Sequence, residues 1–409
     1  MFALPPLAGK IPDSLSGAYA PHREAFDTAE AVGALGAWPK ELHGVLFWLC
    51  ATPLHASVPD ADLSADSAFV CAVEINRGRV LRQRGAFVVT KALSEILGVA
   101  PLRDRLDLAT RAGTDQLLVG AQRLLVGGAD GLPYVIRPTL ETVGVATFDA
   151  VLNRPSAESW LSTPDTESVY LVAHDPNGNF EVLTYSATTG QLCAQRLDQR
   201  LRRPFHLALS EDRLVVFGAT HLQVFDRDLG QAGDDVLPAG ELAIAAVLGA
   251  TEGGDGLEVT LARRRRSGLK IARVTIGESA LGVTKVVNTP FASLTPSVCP
   301  PSTQPRSIVG IESDASDITT VTSVDLERHA QEQRHLPRDT RAGKPLCVMG
   351  ARSQKRYVIV PTNHLDGSRQ ELLLLDAEHI GGPEIATLQV PRHLPLNGQG
   401  VFLSNLQLR

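Results

Sequence analysis

Residues Arg356 to Phe402 read RYVIVPTNHLDGSRQELLLLDAEHIGGPEIATLQVPRHLPLNGQGVF, and this stretch decides the predicted fold. Its apolar runs are short, rich in Val, Ile and Leu, and separated by polar turns, which is typical of successive β-strands. The stretch predicts two strands joined by a polar hairpin tip, a short turn, a third strand and a Gly-rich close. We therefore expect a β-sheet unit in this part of the chain.

Similar short strands are predicted along most of the remaining sequence. They lie at Ala68–Ile75, Gln116–Val126, Val169–Ala173, Glu181–Tyr185, Leu214–Phe217, Leu257–Leu261, Val358–Val360 and Leu372–Leu375. Turn residues such as Asn76-Arg77-Gly78 separate them. Helical periodicity is confined to residues 23–36 and 87–97, where we expect helices. Because each propeller blade packs only against its neighbours, a propeller is the most economical fold for a chain without a clear linker.

Composition limits the location and the partners of the protein. The chain has 409 residues, 44% of them hydrophobic, and a net charge of −6, which offers no basic surface for nucleic acid. No apolar run approaches about 18 residues, so no transmembrane segment is expected. The five scattered cysteines are Cys50, Cys71, Cys193, Cys299 and Cys347. They contain no Cys-x-x-Cys pair and indicate buried thiols in a reducing compartment, so we expect a cytoplasmic protein.

Motifs along the chain resemble those of the carotenoid cleavage oxygenases, an iron-dependent β-propeller family that includes lignostilbene dioxygenases and the retinal pigment epithelial membrane protein. The matching segments are 38–47 (WPKELHGVLF), 72–80, 90–93, 123–144, 205–217 and 336–343. They occur in the order and spacing of the family. The resemblance implies an all-β, seven-bladed propeller formed as one domain by residues 1–409. It also implies one blade trimmed near residues 350–356 and a reduced helical cap.

The family holds Fe(II) with four histidines from four blades, and glutamates orient three of them. The matching positions here carry Thr163, Phe205, Ala246 and Gln399. No histidine occurs between His221 and His329, so no shift of alignment can supply the third ligand. The resemblance therefore implies a propeller that has lost its iron site, and we predict neither a bound metal nor a cofactor.

Two alternative alignments would restore a histidine. His174 could occupy the first ligand position if the register used Ala173-His174-Asp175-Pro176. A shift of one residue would place His206 at the second position, but such a shift turns every side chain of a strand to its other face. We therefore expect His206 beside the site. His393, six residues before Gln399, is expected to face solvent.

Polar residues near the former metal site are candidates for proton transfer. His335 replaces one of the family's glutamates, and Asp130 follows Ala129 at the position of another. With His206 they form the candidate catalytic set, because burial near an axial cavity brings a histidine into the range for acid–base work. A buried, hydrogen-bonded structural side chain is the alternative for each. The expected binding residues, which combine apolar and hydrogen-bonding groups, are Thr163, Phe205, Ala246, Val247 and Gln399.

Two classes of function fit these residues. The first is a metal-independent cyclase, isomerase or lyase of secondary metabolism, acting on a hydrophobic polyene, isoprenoid, stilbene-like or polyketide-like substrate. The second is a non-catalytic scaffold or binding protein that keeps the axial cavity for a hydrophobic ligand. Dioxygenase activity, by family similarity alone, is a third interpretation. In each, the partner is a hydrophobic small molecule, peripheral membrane contact remains compatible, and the oligomeric state is left open.

Overall fold

The computed structural model describes residues 20, 22–52, 68–90, 93–94, 116–120, 123–127, 133–146, 157–162, 167–174, 179–229, 236–238, 244–253, 256–265, 268–277, 281–289, 291, 297–299, 305–313 and 319–404. Their regular structure is almost entirely β-strand. Within these ranges only Leu93 and Ser94 are helical, in a turn where the Thr90 hydroxyl accepts a hydrogen bond from the Leu93 amide (3.1 Å). In this described part, no helix has the length and apolar character that a membrane crossing requires.

The strands form seven blades. Two leading strands are β1 (Phe26–Thr28) and β2 (Val32–Gly36). Blade 1 contains β3 (Gly44–Ala51), β4 (Ala68–Asn76), β5 (Arg79–Phe87) and, from the far end of the described chain, β31 (Gln399–Ser404). Blade 2 contains β6 (Gln116–Gly120), β7 (Arg123–Gly127), β8 (Tyr134–Ile136) and β9 (Thr142–Val145). Blade 3 contains β10 (Ala157–Ser162), β11 (Ser168–His174), β12 (Phe180–Ser186) and β13 (Leu192–Arg196).

The remaining blades follow the same plan. Blade 4 contains β14 (His206–Leu209), β15 (Arg213–Phe217), β16 (His221–Asp226) and β17 (Val236–Pro238). Blade 5 contains β18 (Ile244–Gly253), β19 (Gly256–Arg265), β20 (Gly268–Ile276) and β21 (Leu281–Asn288). Blade 6 contains β22 (Ser297–Cys299), β23 (Ser307–Ser313), β24 (Thr319–Asp325) and β25 (Gln331–His335). Blade 7 contains β26 (Thr340–Ala342), β27 (Leu346–Met349), β28 (Arg356–His364), β29 (Gln370–Asp376) and β30 (Ala386–Gln389).

One strand position of each blade lies next to the propeller axis. We call these the axis strands: β31, β6, β10, β14, β18, β22 and the interrupted strand formed by β26 and β27. Side by side, β31 contacts β6, β6 contacts β10, β10 contacts β14, and β14 contacts β18, while β22 contacts β27 and β27 contacts β31. Because the blades are antiparallel and short connections lead from one blade to the next axis strand, the axis strands begin on one face, called here the front face.

The two faces of each blade pack against neighbouring blades. On β14, for example, Leu207 joins a buried cluster with Tyr170 of blade 3, whereas Ala208 joins a buried cluster with Leu257 of blade 5. This alternation follows from the two-residue period of a strand. The interior of the fold is therefore a series of apolar layers between blades.

Most sequence-based strand predictions are confirmed, but the single strand predicted at Gln116–Val126 is a hairpin of β6 and β7. The turn at Arg77 and Gly78 is also confirmed, with φ of 50° and 74°, the positive values that a two-residue hairpin turn requires. The predicted helix at residues 23–36 is wrong, because this segment forms β1 and β2. Its helix-forming residues are overridden by pairing with open strand edges: β1 and β2 both pair with β5, and β2 also pairs with β30.

The first and last blades are joined both near the axis and at the periphery. Near the axis, β31 pairs with β3, from Gly44 opposite Ser404 to Leu49 opposite Gln399. At the periphery, β2 pairs with β30 and β5, so the sheets of blades 7 and 1 form one continuous sheet. The ring is thus closed by hydrogen bonds between segments far apart in sequence.

The connection between β27 and β28 is the short turn expected near residues 350–356. The carboxylate of Glu41 accepts hydrogen bonds from the backbone amides of Ser353 (2.9 Å) and Arg352 (3.1 Å) and from the Tyr357 hydroxyl (3.2 Å). The hydrogen bonds from Ser353 lower the pKa of Glu41 below its usual value. A charged acceptor therefore supports this turn.

The predicted buried thiols are confirmed for three cysteines. Cys50, Cys71 and Cys347 are buried and Cys193 is half-buried. Burial raises the pKa of the Cys50 and Cys71 thiols well above the usual value. These two are therefore unreactive packing residues.

Glycines in the Gly-rich close allow β31 to approach Trp48. The Trp48 ring is fully buried and its Nε1 donates a hydrogen bond to the Pro395 carbonyl (2.9 Å). A Cβ at Gly398 would lie 2.3 Å from Trp48 Nε1 and 2.5 Å from the Leu49 carbonyl oxygen. No side chain fits this contact.

We predict that Gly398→Ala lowers the free energy of unfolding by roughly 1–3 kcal/mol, because the added methyl overpacks a rigid backbone contact. Gly33→Ala is the matched control, since a Cβ there meets nothing within 4 Å. Urea unfolding followed by tryptophan fluorescence measures both. Equal unfolding midpoints for the two variants would show that closure tolerates a side chain at Gly398.

Two histidines connect the start of the described chain to the loop before β31. The rings of His22 and His393 lie 4.4 Å apart between centroids. His22 Nε2 donates to the His393 carbonyl (2.8 Å), and His393 Nε2 donates to the Ala20 carbonyl (2.8 Å). His393 is half-buried in this pair, so the expectation that it faces solvent is wrong. Burial, reinforced by the nearby His393, lowers the pKa of His22 to about 4.

This pair makes stability depend on pH. An unfolded histidine has a pKa of about 6.5, so between pH 6.5 and 4 the unfolded state binds more protons than the folded state. Neutral His22 contributes to the free energy of unfolding, and this contribution is complete above pH 6.5. As the pH falls toward 4, the free energy of unfolding decreases by about 3 kcal/mol. Urea unfolding at pH 6.5 and at pH 4 should show this decrease in unfolding free energy in the natural protein and a smaller decrease in His22→Gln.

The control for this experiment is His379→Gln, because the His379 side chain is 75% exposed. Its pH dependence should follow that of the natural protein. If His22→Gln keeps the full pH dependence, His22 does not carry it.

Candidate functional site

The front face is where the sequence places the candidate site. Three axis strands begin there with residues that matched former iron positions or their neighbours: β14 at His206, β18 two residues before Ala246, and β31 at Gln399. Their backbones are held by neighbouring axis strands, since β14 contacts β18 and β31 contacts β6. The fold therefore brings these three predicted regions to one end of the axis.

His206 is the first residue of β14 and is half-buried. Strand alternation directs it away from the side of Phe205 and Leu207, which pack in the apolar cluster between blades 3 and 4. Its Nε2 atom is buried and, among the described residues, has no hydrogen-bond partner. Burial lowers the pKa of His206, so the imidazole is neutral at physiological pH.

Phe205, the predicted counterpart of a family iron ligand, is packed in the protein core. It is 4% exposed, and its ring meets the Phe180 ring edge-on at 4.6 Å between centroids. Almost no surface of Phe205 is left for a ligand. Phe205 therefore extends the apolar layer between blades 3 and 4 instead of lining a pocket.

The strand β18 supplies only apolar side chains near its start. Ala246 and Val247 are both half-buried, and they join different buried clusters on the two faces of the blade. The pairing with β19 shifts register between Ile244 and Ala246 and again between Val247 and Gly249. Such bulges bend a strand and change the direction of its side chains. The partial exposure of Ala246 and Val247 leaves apolar surface on this axis strand.

Gln399 begins β31, opposite Leu49 of β3. The side chain is half-buried, and its amide nitrogen Nε2 is buried without a hydrogen-bond partner in the described part of the chain. A buried polar atom without a partner costs free energy, so such atoms mark positions where a water or a ligand completes the structure. Gln399 and His206 share this property at the front face.

A partly buried hydrogen bond fixes β14 against β18. The Ser210 hydroxyl, just after β14, donates to the Glu252 carboxylate at 2.6 Å, and Ser210 is 2% exposed. Arg213 lies 3.7 Å from the same carboxylate. This contact stabilises the spacing of the two axis strands whose front ends carry His206 and Ala246.

His335 is not in the interior. It ends β25, the outermost strand of blade 6, and is exposed. Its Nδ1 lies 2.9 Å from the Thr320 hydroxyl on the neighbouring strand. The expectation of a buried His335 near the axis is wrong, because that segment continues an outer strand before the chain turns toward the next axis strand.

His174 ends β11, the second strand of blade 3 and not its axis strand. Its Nε2 lies 2.6 Å from an Arg203 guanidinium nitrogen, and its ring lies 4.4 Å from that of Phe180 between centroids. These contacts occupy His174 in a surface cluster. The alternative alignment with His174 as first ligand is not supported by this position.

Two predicted site residues, Asp130 and Thr163, lie outside the described residues. In the part that is described, no group of three or more His, Cys, Asp and Glu side chains is arranged to hold a metal ion.

Sequence reasoning missed one residue near the axis, Lys344. It lies between β26 and β27, flanked by buried Gly343 and Pro345. Burial lowers the pKa of its amine to about 8. The available signal was the Gly-Lys-Pro interruption of an otherwise strand-like segment, since glycine and proline inside a strand indicate a bulge.

Comparisons with known proteins agree with the architecture. No protein-family model matches the chain, and no curated protein matches it. Among solved structures, the lignostilbene dioxygenase of Pseudomonas brassicacearum superposes with a TM-score of 0.77 at 15% identity, covering 97% of this chain and 100% of the other. A variant of the Synechocystis apocarotenoid oxygenase gives 0.73 at 18% identity, covering 94% and 98%. The cobalt-substituted form of that oxygenase also gives 0.73 at 18%, covering 95% and 98%.

These likenesses extend over nearly the full length of both chains, and they agree with the order of blades described above. The protein therefore has the fold of the carotenoid cleavage oxygenases.

Proposed function

We propose that this protein binds and transforms a hydrophobic polyene-like or stilbene-like small molecule at the front end of its axis without an iron centre. The proposal rests mainly on the residues with which the axis strands begin. β14 offers the one imidazole of His206, β18 offers Ala246 and Val247, and β31 offers the amide of Gln399. Neither alanine nor valine can bind a metal.

The fit to Fe(II) is poor. Four neutral imidazoles suit iron, whereas one imidazole and one carboxamide form a weak and incomplete set. The Phe205 position cannot contribute, since its ring is packed against Phe180. No step of the proposed chemistry therefore passes through a metal ion.

The hydrophobic character of the ligand follows from the apolar surface of the axis strands. Leu118 and Val119 on β6, Val247 on β18 and Val401 on β31 are apolar and only partly buried. Apolar walls with a few polar groups are the usual composition of a small-molecule site. The similar structures act on lignostilbene and apocarotenoid compounds, as their names state, which favours an elongated, conjugated ligand.

His206 is the group that we assign to proton transfer. As a neutral imidazole it can take a proton from an acidic C–H or O–H of the ligand and return it to another atom, which is the step shared by cyclases, isomerases and lyases. Gln399 can donate a hydrogen bond to an oxygen of the same ligand. Such a cycle consumes no oxidant and returns His206 to its starting state.

The first test is metal content. We expect the protein, incubated with excess Fe(II) without oxygen and then gel-filtered, to retain far less than one iron per chain by mass spectrometry of the metal. Binding of trans-stilbene, followed by its fluorescence, should be unchanged by a chelator. One tightly held iron per chain would instead support the dioxygenase interpretation and overturn this proposal.

The second test concerns His206 and Gln399. His206→Ala and Gln399→Ala should each weaken binding of a hydroxylated stilbene about tenfold, because each loses one hydrogen bond in a site shielded from water. The matched controls are His221→Ala, on the third strand of blade 4, and Gln331→Ala, on the exposed outer strand of blade 6. If the controls weaken binding equally, the ligand does not occupy the front end of the axis.

A further inference from the structure

Lys344 interrupts the axis strand of blade 7. Both β26 and β27 pair with β28, with Ala342 opposite Thr362 and Leu346 opposite Ile359. Gly343, Lys344 and Pro345 therefore lie opposite Val360 and Pro361, which makes a one-residue bulge. A bulge breaks the regular alternation of a strand and gives its residues a new direction.

The bulge is held firmly on both sides. The Gly343 amide donates to the Pro361 carbonyl at 2.8 Å. A Cβ at Gly343 would lie 3.2 Å from the Leu396 carbonyl oxygen, so the backbone packs closely against the loop that leads to β31. Since β27 also contacts β22 and β31, the bulge lies between the axis strands of blades 6 and 1. Lys344 thus has a fixed backbone next to the axis.

Within the described residues, the amine of Lys344 has no compensating charge. A lysine is almost never buried without an acidic partner. Among the described residues, however, no carboxylate forms an ion pair with Lys344, and burial alone acts on its pKa, lowering it to about 8. Lys344 as a whole residue is half-buried, so part of its surface stays exposed. These are the conditions under which a lysine becomes a nucleophile.

We propose that Lys344 Nζ captures the aldehyde or ketone group of a hydrophobic ligand as a reversible imine. The neutral amine attacks the carbonyl carbon, a C–N bond forms, and the oxygen takes a proton to give a carbinolamine. Loss of the hydroxyl as water and of the nitrogen proton then gives the imine. The balance is amine plus carbonyl to imine plus water, without an oxidant. This inference rests on the proposed axial binding site and names the carbonyl compounds as its ligand class.

The experiment is reductive trapping on the full chain. The protein is incubated with trans-cinnamaldehyde and sodium cyanoborohydride, and the adduct on each lysine is followed by peptide mass spectrometry. At pH 7 an amine of pKa about 8 is roughly one-tenth neutral, against less than about 0.1% for an ordinary lysine. Lys344 should therefore be labelled at least about tenfold faster than exposed Lys40. Its rate should rise with pH and level off above about pH 8.

Variants separate this site from general labelling. Lys344→Arg keeps a positive charge but should lose the adduct, and Lys40→Arg should leave labelling of Lys344 unchanged. Circular dichroism confirms that each variant is folded. Labelling of Lys344 no faster than that of Lys40, or a rate still rising above pH 10, would overturn the inference even if Lys344→Arg fails to fold.

The outcome also distinguishes the two proposals. trans-Stilbene binding without a Lys344 adduct would overturn the imine and leave the axial ligand site intact. A fast Lys344 adduct without stilbene binding would overturn the proposed function and leave a reactive lysine. Tighter binding of cinnamate than of cinnamaldehyde, with no adduct, would show that Lys344 binds a carboxylate as an ammonium ion and would also overturn the imine.

Discussion

The pairing of β31 with β3 is the interaction on which the rest of the structure depends. It brings Gln399 to the axis and completes blade 1. The fully buried Trp48 packs against Gly398 and Gly400, so the closing strand fits only because two positions lack a side chain. Without this closure blade 1 would lack its axis strand, and β6 and β27 would each lose a neighbour. The site at the front face is therefore a product of ring closure and not of any single blade.

In a propeller of this kind, the position of a residue near the axis does not depend on the chemical type of its side chain. The axis strands hold their backbone positions around the axis whatever side chains they carry, because the backbone pairing is set within each blade and by neighbouring blades. Phe205 extends an apolar layer, Ala246 leaves open apolar surface, and Gln399 leaves a buried nitrogen without a described partner. The same backbone thus accommodates different side chains at these positions, and the fold alone does not determine the chemistry.

Local pattern was sufficient to predict most strands and the hairpin turn at Gly78, since these depend on a two-residue period and on backbone conformation. The order of motifs was sufficient to predict the propeller. Burial could not be predicted in the same way. His335 is exposed, His393 stacks on His22, and residues 23–36 pair as strands, because each outcome depends on segments distant in sequence. Lys344 was missed because a bulge is visible only once strand register is known.

The hydrogen bond from Trp48 to Pro395 joins residues 347 positions apart. A nascent chain on the ribosome therefore displays β3 with one edge unpaired and Trp48 uncovered until nearly all of the described sequence has been made. Pairings this distant raise the contact order and slow folding. During that interval the exposed strand edge is a site for mispairing with other chains. The first blade of this protein is thus completed only when its closing strand has been synthesised.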